Sequence, residues 1–163
     1  MALTFEEATE EDIPELTRVM TLAFDDDSQK YRGLEKGGPP GYDNGDFFRE
    51  WLLPYKESVG YKILLDGRVI GGLIVWDLPS RENILGTIFV DPAFQCQGVG
   101  TRAWQFVEET YPQTQSWTLE TPDWSLGNHT FYEKKCGFTK VEEKAYPDLT
   151  VYVYRKVMQN QAG

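Results

Sequence analysis

The sequence has little positive charge, a single histidine and only two cysteines. Its 163 residues carry 16 Lys and Arg against 26 Asp and Glu, which gives a net charge of −10. A nucleic-acid-binding surface needs clustered Lys and Arg side chains, so this balance argues against a nucleic-acid partner. Cys96 and Cys136 lack metal-ligand spacing, and we predict that both are unpaired and that no metal is bound. Sparse cysteine usage suits a reducing compartment, and we expect the protein to be cytoplasmic.

The sequence also lacks long hydrophobic runs. None approaches the roughly 20 residues of a membrane span, so we predict no membrane partner. The segment Met1–Glu6 lacks the basic and apolar regions of a signal peptide. A content of 40% hydrophobic and 14% aromatic residues is sufficient for a core and argues against disorder. We therefore predict one domain over residues 1–163.

Acidic residues are concentrated in the first third of the chain. Residues 1–57 hold fourteen Asp and Glu against six Lys and Arg, a net charge of −8, whereas residues 58–163 have a net charge of −2. Such a region would attract a cationic partner such as an amine. Acidic surfaces also aid solubility, and the charge alone does not decide between these roles.

The spacing of hydrophobic residues predicts a mixture of strands and helices. The strongest hairpin signal is Asp66-Gly67 between two apolar runs. Predicted strands cover residues 3–5, 61–65, 69–76, 83–90, 116–120, 138–145 and 149–157. Four helices are predicted: a segment that ends near Phe24, residues 46–55, the segment after Gly98, and residues 125–136. The tail from Met158 to Gly163 is predicted to be frayed. This order predicts a mixed sheet with helices on both faces.

The most informative motif is Gln95-Cys96-Gln97-Gly98-Val99-Gly100, which lies between a predicted strand and a predicted helix. Glycine lets a backbone approach a ligand closely because no Cβ stands in the way. The following helix N-terminus offers unpaired N–H groups and the positive end of the helix dipole. Together these features predict a site for a pyrophosphate, and hence a phosphorylated cofactor.

A dinucleotide site is a minor alternative, which would make the protein an oxidoreductase. Gly98-x-Gly100-x-x-Ala103 matches that fingerprint, and Glu120 lies about 20 residues further on. However, the first glycine should follow the strand directly, whereas residues 91–97 intervene. Too little chain also remains for further βαβ units.

The glycine motif and its surroundings resemble the Gcn5-related N-acetyltransferase (GNAT) family over nearly the whole chain. In that family a strand ends in a hydrophobic triplet, followed by Asn/Asp-Pro and then Gln/Arg-x-x-Gly-x-Gly/Ala. The matching segments here are Ile88-Phe89-Val90, Asp91-Pro92 and Gln95-Cys96-Gln97-Gly98-Val99-Gly100. The resemblance implies the GNAT fold, of class α/β (α+β), with a mixed central sheet of six to seven strands and about four helices on both faces.

The resemblance implies acetyl-CoA as the cofactor, with no metal. Ile88 and Val90, with Phe89 between them, would bind pantetheine through backbone groups as if it were an added strand. Loop amides would hold the pyrophosphate, and the loop residues concerned are Gln95, Cys96, Gln97, Gly98, Val99, Gly100 and Thr101. Family members often dimerise, so the resemblance also allows a homodimer.

A second match, from Phe131 to Phe138, resembles the family's Phe/Leu-Tyr-Glu-Lys-x-Gly-Phe segment. In many members this tyrosine protonates the departing thiolate of coenzyme A, which makes Tyr132 the candidate general acid. An ordinary tyrosine packed beside Phe131 is the alternative interpretation. Many members also place an asparagine seven residues before the tyrosine, where this chain has Ser125. We interpret Ser125 as a helix N-cap and predict that Asn128, one turn closer, contacts the cofactor.

The general base is less clearly marked in the sequence. Histone-type members carry a glutamate eleven residues before the motif glutamine, and here that position is Ile84. Glu120 is the candidate base at a strand end, although a salt-bridged surface role is equally compatible with its position. Asp77 is a second option, whereas a surface or capping role is predicted for His129.

We therefore predict an acetyl-CoA-dependent N-acetyltransferase in which a primary amine attacks the thioester directly. The acceptor would be a small cationic amine or a peptide N-terminus, entering over the segment 25–55. The aromatic residues expected to shape its pocket are Tyr31, Tyr42, Phe47, Phe48 and Trp51. A non-catalytic acyl-CoA-binding or sensor domain is the alternative function. The acceptor's identity, the base, the oligomeric state and the use of other acyl groups stay open at this point.

Overall fold

A seven-stranded mixed sheet organises the computed structural model, which describes residues 2–159. The strands are β1 Leu3–Glu7, β2 Ser58–Leu65, β3 Arg68–Trp76, β4 Glu82–Val90, β5 Ser116–Pro122, β6 Thr139–Tyr146 and β7 Leu149–Val157. The helices are α1 Ile13–Arg32, α2 Asp46–Trp51, α3 Val99–Thr110 and α4 Leu126–Thr130. This architecture confirms the predicted α/β class and the predicted content of strands and helices.

The strand order is β1-β2-β3-β4-β5-β7-β6. Within residues 2–159, neighbouring strands pair antiparallel except β4 and β5, which run parallel. A dinucleotide-binding fold needs a mostly parallel sheet, so the topology argues against the oxidoreductase alternative. The β2–β3 turn has Asp66 at φ +51° and Gly67 at φ +83°, the left-handed pair that a type I′ hairpin requires. The Asp66-Gly67 hairpin is thus confirmed.

The β4 and β5 strands separate after a short paired stretch. Pairing joins residues 82–84 of β4 to residues 116–118 of β5 and then stops. On its other side, β4 stays paired with β3 as far as Val90. Gly86 is an extra residue in that ladder, since Ile74 pairs with Thr87 and the next residue, Val75, pairs with Leu85. Such a bulge bends a strand, and here it accompanies a wedge between β4 and β5.

Two apolar clusters cover the two faces of the sheet. On one face, α1 and α2 bury Leu16, Met20 and Phe48 against the sheet residue Phe89. On the other face, α3 packs its buried side chains with those of β5, the segment after α4 and β7; these include Trp104, Trp117, Tyr132 and Tyr154. The wedge between β4 and β5 lies between these two layers. No helix in the described part of the chain combines the length and apolarity that crossing a bilayer requires.

The first helix is longer than the sequence predicted. It was expected to end near Phe24 because Asp25-Asp26-Asp27-Ser28 looked like a break, but α1 continues to Arg32. The polar run has partners that keep it helical: Asp25 accepts hydrogen bonds from the Tyr42 hydroxyl (2.6 Å) and the Gly37 N–H (3.1 Å). Asp26 forms an ion pair with Lys30 one turn later.

The predicted helix over residues 125–136 is also corrected. It divides into α4 and a π-helical turn, Phe131–Lys135, whose wider winding is seen in the 3.2 Å bond from the Cys136 N–H to the Phe131 carbonyl. Single π turns inside helices are frequent at functional sites. Gly137, at φ +81°, ends this segment as predicted. The tail predicted to fray lies, from residue 160 onward, outside the described residues.

We expect Gly71→Ala to destabilise the protein by about 1–3 kcal/mol, because an added Cβ would lie 2.5 Å from the backbone carbonyl oxygen of Phe89. That oxygen belongs to β4 and cannot rotate away. Gly86→Ala is the matched control, since its nearest neighbour is the end of the Trp76 side chain at 3.3 Å. The free energies of unfolding in urea measure both effects, and equal losses for the two variants would contradict this assignment.

Candidate functional site

A cavity of about 600 Å³ opens beside the unpaired half of β4. Its walls are the C-terminal half of α1, the end of β4, the loop that leads into α3, and the segment formed by α4 and the π turn. The volume and mixed lining are typical of a small-molecule site. The end of β4 that lies here has no strand partner on the β5 side, so backbone donors and acceptors face the wedge.

Most of the predicted cofactor residues line this one cavity. They are Ile88, Phe89, Val90, Gln95, Cys96, Gly98, Val99, Gly100, Thr101 and Asn128. Gln97 is exposed and is not part of the lining. The fold therefore brings together two segments, residues 88–90 and 95–101, that the sequence identified separately.

The loop before α3 has the backbone geometry of an anion site. Cys96 and Gly98 both have positive φ, +62° and +80°, so the chain curls sharply before the helix. α3 begins at Val99 without a side-chain cap, which leaves the N–H groups of its first turn free for a ligand. The Gln95 side chain donates to the Val90 carbonyl (3.1 Å) and fixes the loop to the end of β4.

Two lysines add positive charge to the same cavity. Lys30 of α1 and Lys135 of the π turn both line it. Gly100 allows the ring of Phe131 to lie close to α3, because a Cβ at this position would be 3.1 Å from that ring. Free amides, a helix N-terminus and two cations together suit a phosphorylated ligand.

Tyr132 lies in the π turn and lines the cavity with a largely buried side chain. Its ring packs against Phe131, Phe138 and Tyr154. Among residues 2–159 its hydroxyl has no hydrogen-bond partner. Burial, followed by the nearby Cys136 and Asp27, raises the pKa of the Tyr132 phenol above its ordinary value. The phenol therefore stays protonated at neutral pH and is able to donate a proton into the cavity.

The residues before Tyr132 differ in part from expectation. Ser125 occupies the N-cap position of α4, as predicted, but its side chain makes no capping hydrogen bond. Its hydroxyl is fully buried and donates instead to Oδ2 of Asp27, at 2.7 Å. Asn128 lines the cavity and donates to Thr121 Oγ1 at 3.2 Å. His129 is buried, stacks on Tyr152 and lies 2.9 Å from the Pro122 carbonyl, so the predicted surface role is wrong.

The two sequence candidates for a general base lie elsewhere. Glu120 is exposed on β5, where it accepts a hydrogen bond from Tyr146 (2.9 Å) and pairs with Lys144 (3.5 Å). Asp77 follows β3, outside the cavity, and accepts a hydrogen bond from Asn83 at 3.2 Å. Neither residue lines the cavity. No group of three or more His, Cys, Asp and Glu in the described segment is placed to hold a metal.

The second half of α1 contributes more to the cavity than the predicted acceptor segment, residues 25–55 with Tyr31, indicated. Ala23, Phe24, Asp27, Lys30 and Tyr31 all line the cavity. The helical spacing of these residues would have revealed them if the helix had been extended past Phe24. Of the aromatic residues expected to shape an acceptor pocket, Tyr31 alone lines this cavity. Tyr42 and Phe48 are buried in the core beside α1 and α2, so the prediction is wrong for these two.

Within the described part of the chain, Asp27 is the one carboxylate in the cavity lining. It accepts the hydrogen bond from Ser125 and forms no ion pair within the described residues. Burial, reinforced by the charge of Asp26, raises the pKa of the Asp27 carboxyl above its ordinary value. A carboxyl group with a raised pKa in a cleft is a common feature of functional sites.

Known proteins share this sequence pattern and fold. The family model described as "Acetyltransferase (GNAT) family" matches residues 18–138. A protein of Bacillus subtilis (strain 168) named "Uncharacterized protein YrkN" is 36% identical over 136 residues, which cover 83% of this chain and 72% of that protein.

Two solved structures show how closely the fold is shared. An acetyltransferase from Thermus thermophilus has a TM-score of 0.78 at 16% identity, with 97% of this chain and 98% of that one covered. The PaiA N-acetyltransferase from Thermoplasma acidophilum, solved in complex with coenzyme A, has a TM-score of 0.72 at 13% identity, with 97% and 100% covered.

We expect Asp27→Asn to raise the stability of the protein at neutral pH. With a raised pKa, the folded state holds the Asp27 proton to higher pH than the unfolded chain, whose value is about 4. The contribution of this group to the free energy of unfolding therefore falls as pH rises from about 4 through the folded pKa. Urea unfolding of the variant and the wild type should differ at pH near 7 and converge toward pH about 4.

Asp26→Asn provides the matched control for this measurement. Asp26 pairs with Lys30 at 2.9 Å on the same turn of α1, and it does not line the cavity. Its replacement should give no gain in stability. A destabilised Asp27→Asn variant at neutral pH would contradict the inferred cost of burying this carboxylate.

Proposed function

We propose that this chain, which belongs to the GNAT family of acetyltransferases, transfers an acetyl group from acetyl-CoA to a primary amine. Family membership rests on the model match over residues 18–138 and on the 36% identical relative. The observation that carries the proposal is that the unpaired end of β4 and the glycine loop that follows it line the same cavity. A thioester cofactor with a long amide-bearing arm and a pyrophosphate needs both features.

The residues present fit such a cofactor. The backbone of Ile88 and Val90 would pair with the pantetheine arm, with Phe89 between them facing the core. Free amides of residues 96–101 would hold the pyrophosphate, assisted by Lys30 and Lys135. Gln97 would contribute only through its backbone, because its side chain lies outside the lining. Acetyl-CoA supplies the activated acetyl thioester, and a structural neighbour solved with coenzyme A supports this choice.

Tyr132 would act as the general acid. Its protonated phenol lines the cavity without a hydrogen-bond partner among the described residues, so it is free to protonate the departing thiolate. Backbone N–H groups of the separated β4 strand would stabilise negative charge that develops on the carbonyl oxygen. No acyl-enzyme is needed, since an amine attacks a thioester directly.

The acceptor would be a small cationic amine or a peptide N-terminus. The net charge of −8 in residues 1–57 supports this choice, because α1 and the segment around it lie within that region. Tyr31 offers an aromatic surface at the cavity. The unpaired Cys96 and Cys136 support a reducing compartment, and we retain the cytoplasm as part of the proposal.

Acetyl-CoA should raise the midpoint of thermal unfolding, whereas NADH should not. A ligand at 100 times its Kd adds about 2.7 kcal/mol to the free energy of unfolding, which is easily seen as a shifted midpoint. A shift with NADH alone would contradict the proposed cofactor. A shift with acetyl-CoA without thiol release in a screen of primary amines would favour the non-catalytic acyl-CoA-binding alternative.

Tyr132→Phe should lower kcat by about 10²–10⁴-fold, because the leaving thiolate loses its proton donor. The midpoint shift produced by acetyl-CoA should persist, since the variant keeps the ring that packs the cavity wall. Release of the coenzyme A thiol measures the rate, and thermal unfolding measures cofactor binding.

Tyr61→Phe is the matched control for this variant. It removes a hydroxyl that bonds Tyr111 at 2.6 Å, away from the cavity lining, so stability should fall while kcat is unchanged. Full activity of Tyr132→Phe would remove the proposed acid.

A further inference from the structure

The proposed reaction needs a base that the family resemblance does not supply. A primary amine is mostly an ammonium ion at neutral pH and attacks only after it loses a proton. The glutamate of histone-type members is replaced by Ile84, which is exposed. Any base in this chain must therefore be found from the cavity itself.

Asp27 meets the geometric requirements. Among residues 2–159 it is the one carboxylate that lines the cavity, and it lies on α1, close enough to Tyr132 of the π turn to raise the pKa of that phenol. Both residues border the unpaired end of β4, where the thioester would lie. An amine that reaches the thioester in this cavity would thus have a carboxylate and a protonated phenol within the same lining.

The hydrogen bonding of Asp27 leaves one oxygen available. Ser125 donates to Oδ2 at 2.7 Å and holds the carboxylate in place. Oδ1 has no hydrogen bond or ion pair within residues 2–159. Its neighbours in the acidic run are already engaged, since Asp25 bonds Tyr42 and Gly37 and Asp26 pairs with Lys30. Of the three aspartates, Asp27 is the one with a free oxygen at the cavity.

We propose that Asp27 is a catalytic residue that takes the proton from the acceptor ammonium before it attacks the thioester. This inference rests on the proposed acetyl transfer. Oδ1 receives one ammonium proton, which later passes to solvent. The nitrogen lone pair forms the C–N bond as the C–S bond breaks, and Tyr132 protonates the thiolate. The second nitrogen proton returns to the Tyr132 phenolate, so that the net products are the amide, the free thiol and one proton.

The electrostatic surroundings of Asp27 suit this role. Partial burial makes an unpaired carboxylate costly, and the ammonium of an acceptor would relieve that cost by pairing with it. The titratable groups around it are Asp26, Lys30 and Tyr31 on α1, Tyr132 and Lys135 on the π turn, and Cys96 in the loop. Glu120 is the competing base, but Tyr146 and Lys144 already engage both of its oxygens.

The test compares two acceptors with acetyl-CoA, both of them aromatic primary amines of the same composition. Benzylamine is an ammonium ion at neutral pH. Its isomer 4-methylaniline carries the nitrogen on the ring, so it is already neutral and needs no base before attack. Asp27→Asn should lower kcat/KM for benzylamine by about 10²–10⁴-fold and for 4-methylaniline by less than about tenfold. With benzylamine, the rate of the variant should rise about tenfold per pH unit as free amine forms. Asp26→Asn is the control: it removes a charge that raises the pKa of Asp27 but keeps the Asp27 carboxylate, so it should change kcat/KM by less than about tenfold with either acceptor.

The possible outcomes separate the two proposals. Equal losses with both acceptors would show a structural role and overturn the assignment, as would full activity of Asp27→Asn. The same selective loss in Glu120→Gln, with Asp27→Asn unaffected, would move the base to β5.

A wild-type protein that gains no stability from acetyl-CoA and releases no thiol with either amine would overturn the proposed function itself. A midpoint shift of Asp27→Asn with acetyl-CoA shows that the variant is folded and binds cofactor.

Discussion

The separation of β4 from β5 is the constraint on which the rest of this structure depends. Parallel pairing ends at Ile84 and Thr118, while β4 continues its ladder with β3 to Val90. Unpaired backbone groups are costly unless water or another partner satisfies them. The wedge is therefore a site that a ligand with its own amides is able to complete. The glycine loop, the π turn and the second half of α1 each matter because they border this gap.

The cofactor half of the site was accessible from the sequence because it consists mostly of backbone. A strand that ends in a hydrophobic triplet, a loop with a positive-φ glycine and a helix start leave local patterns that can be read directly. The glycine loop was predicted this way, whereas the role of residues 88–90 and the full set 95–101 were implied by the resemblance to the GNAT family. The structure places all of these residues but Gln97 on one cavity. The order of elements also predicted a mixed sheet with helices on both faces, and the resemblance implied the GNAT fold.

The part of the cavity that we assign to the acceptor was less accessible because it depends on contacts between distant segments. Asp25-Asp26-Asp27-Ser28 has the composition of a helix end, and local propensity favours that interpretation. What keeps α1 helical is tertiary: Tyr42 and Gly37 bond Asp25, and Ser125 bonds Asp27. Tertiary contacts also decide the role of Glu120. Its position at a strand end suggested a general base, but Lys144 and Tyr146 of β6 bind its two carboxylate oxygens. No local pattern encodes either set of contacts.

The hydrogen bond between Ser125 and Asp27 also has a consequence for the order in which the molecule folds. It joins residues 98 positions apart in the chain, with the strands β2 to β5 lying between α1 and α4 in the sequence. Contacts of such long sequence separation carry a large loop-closure entropy and form late. The hairpin of β2 and β3, by contrast, is closed by a two-residue turn and is able to form early. We therefore expect the contact between α1 and α4, and with it this side of the cavity, to form after the β2–β3 hairpin.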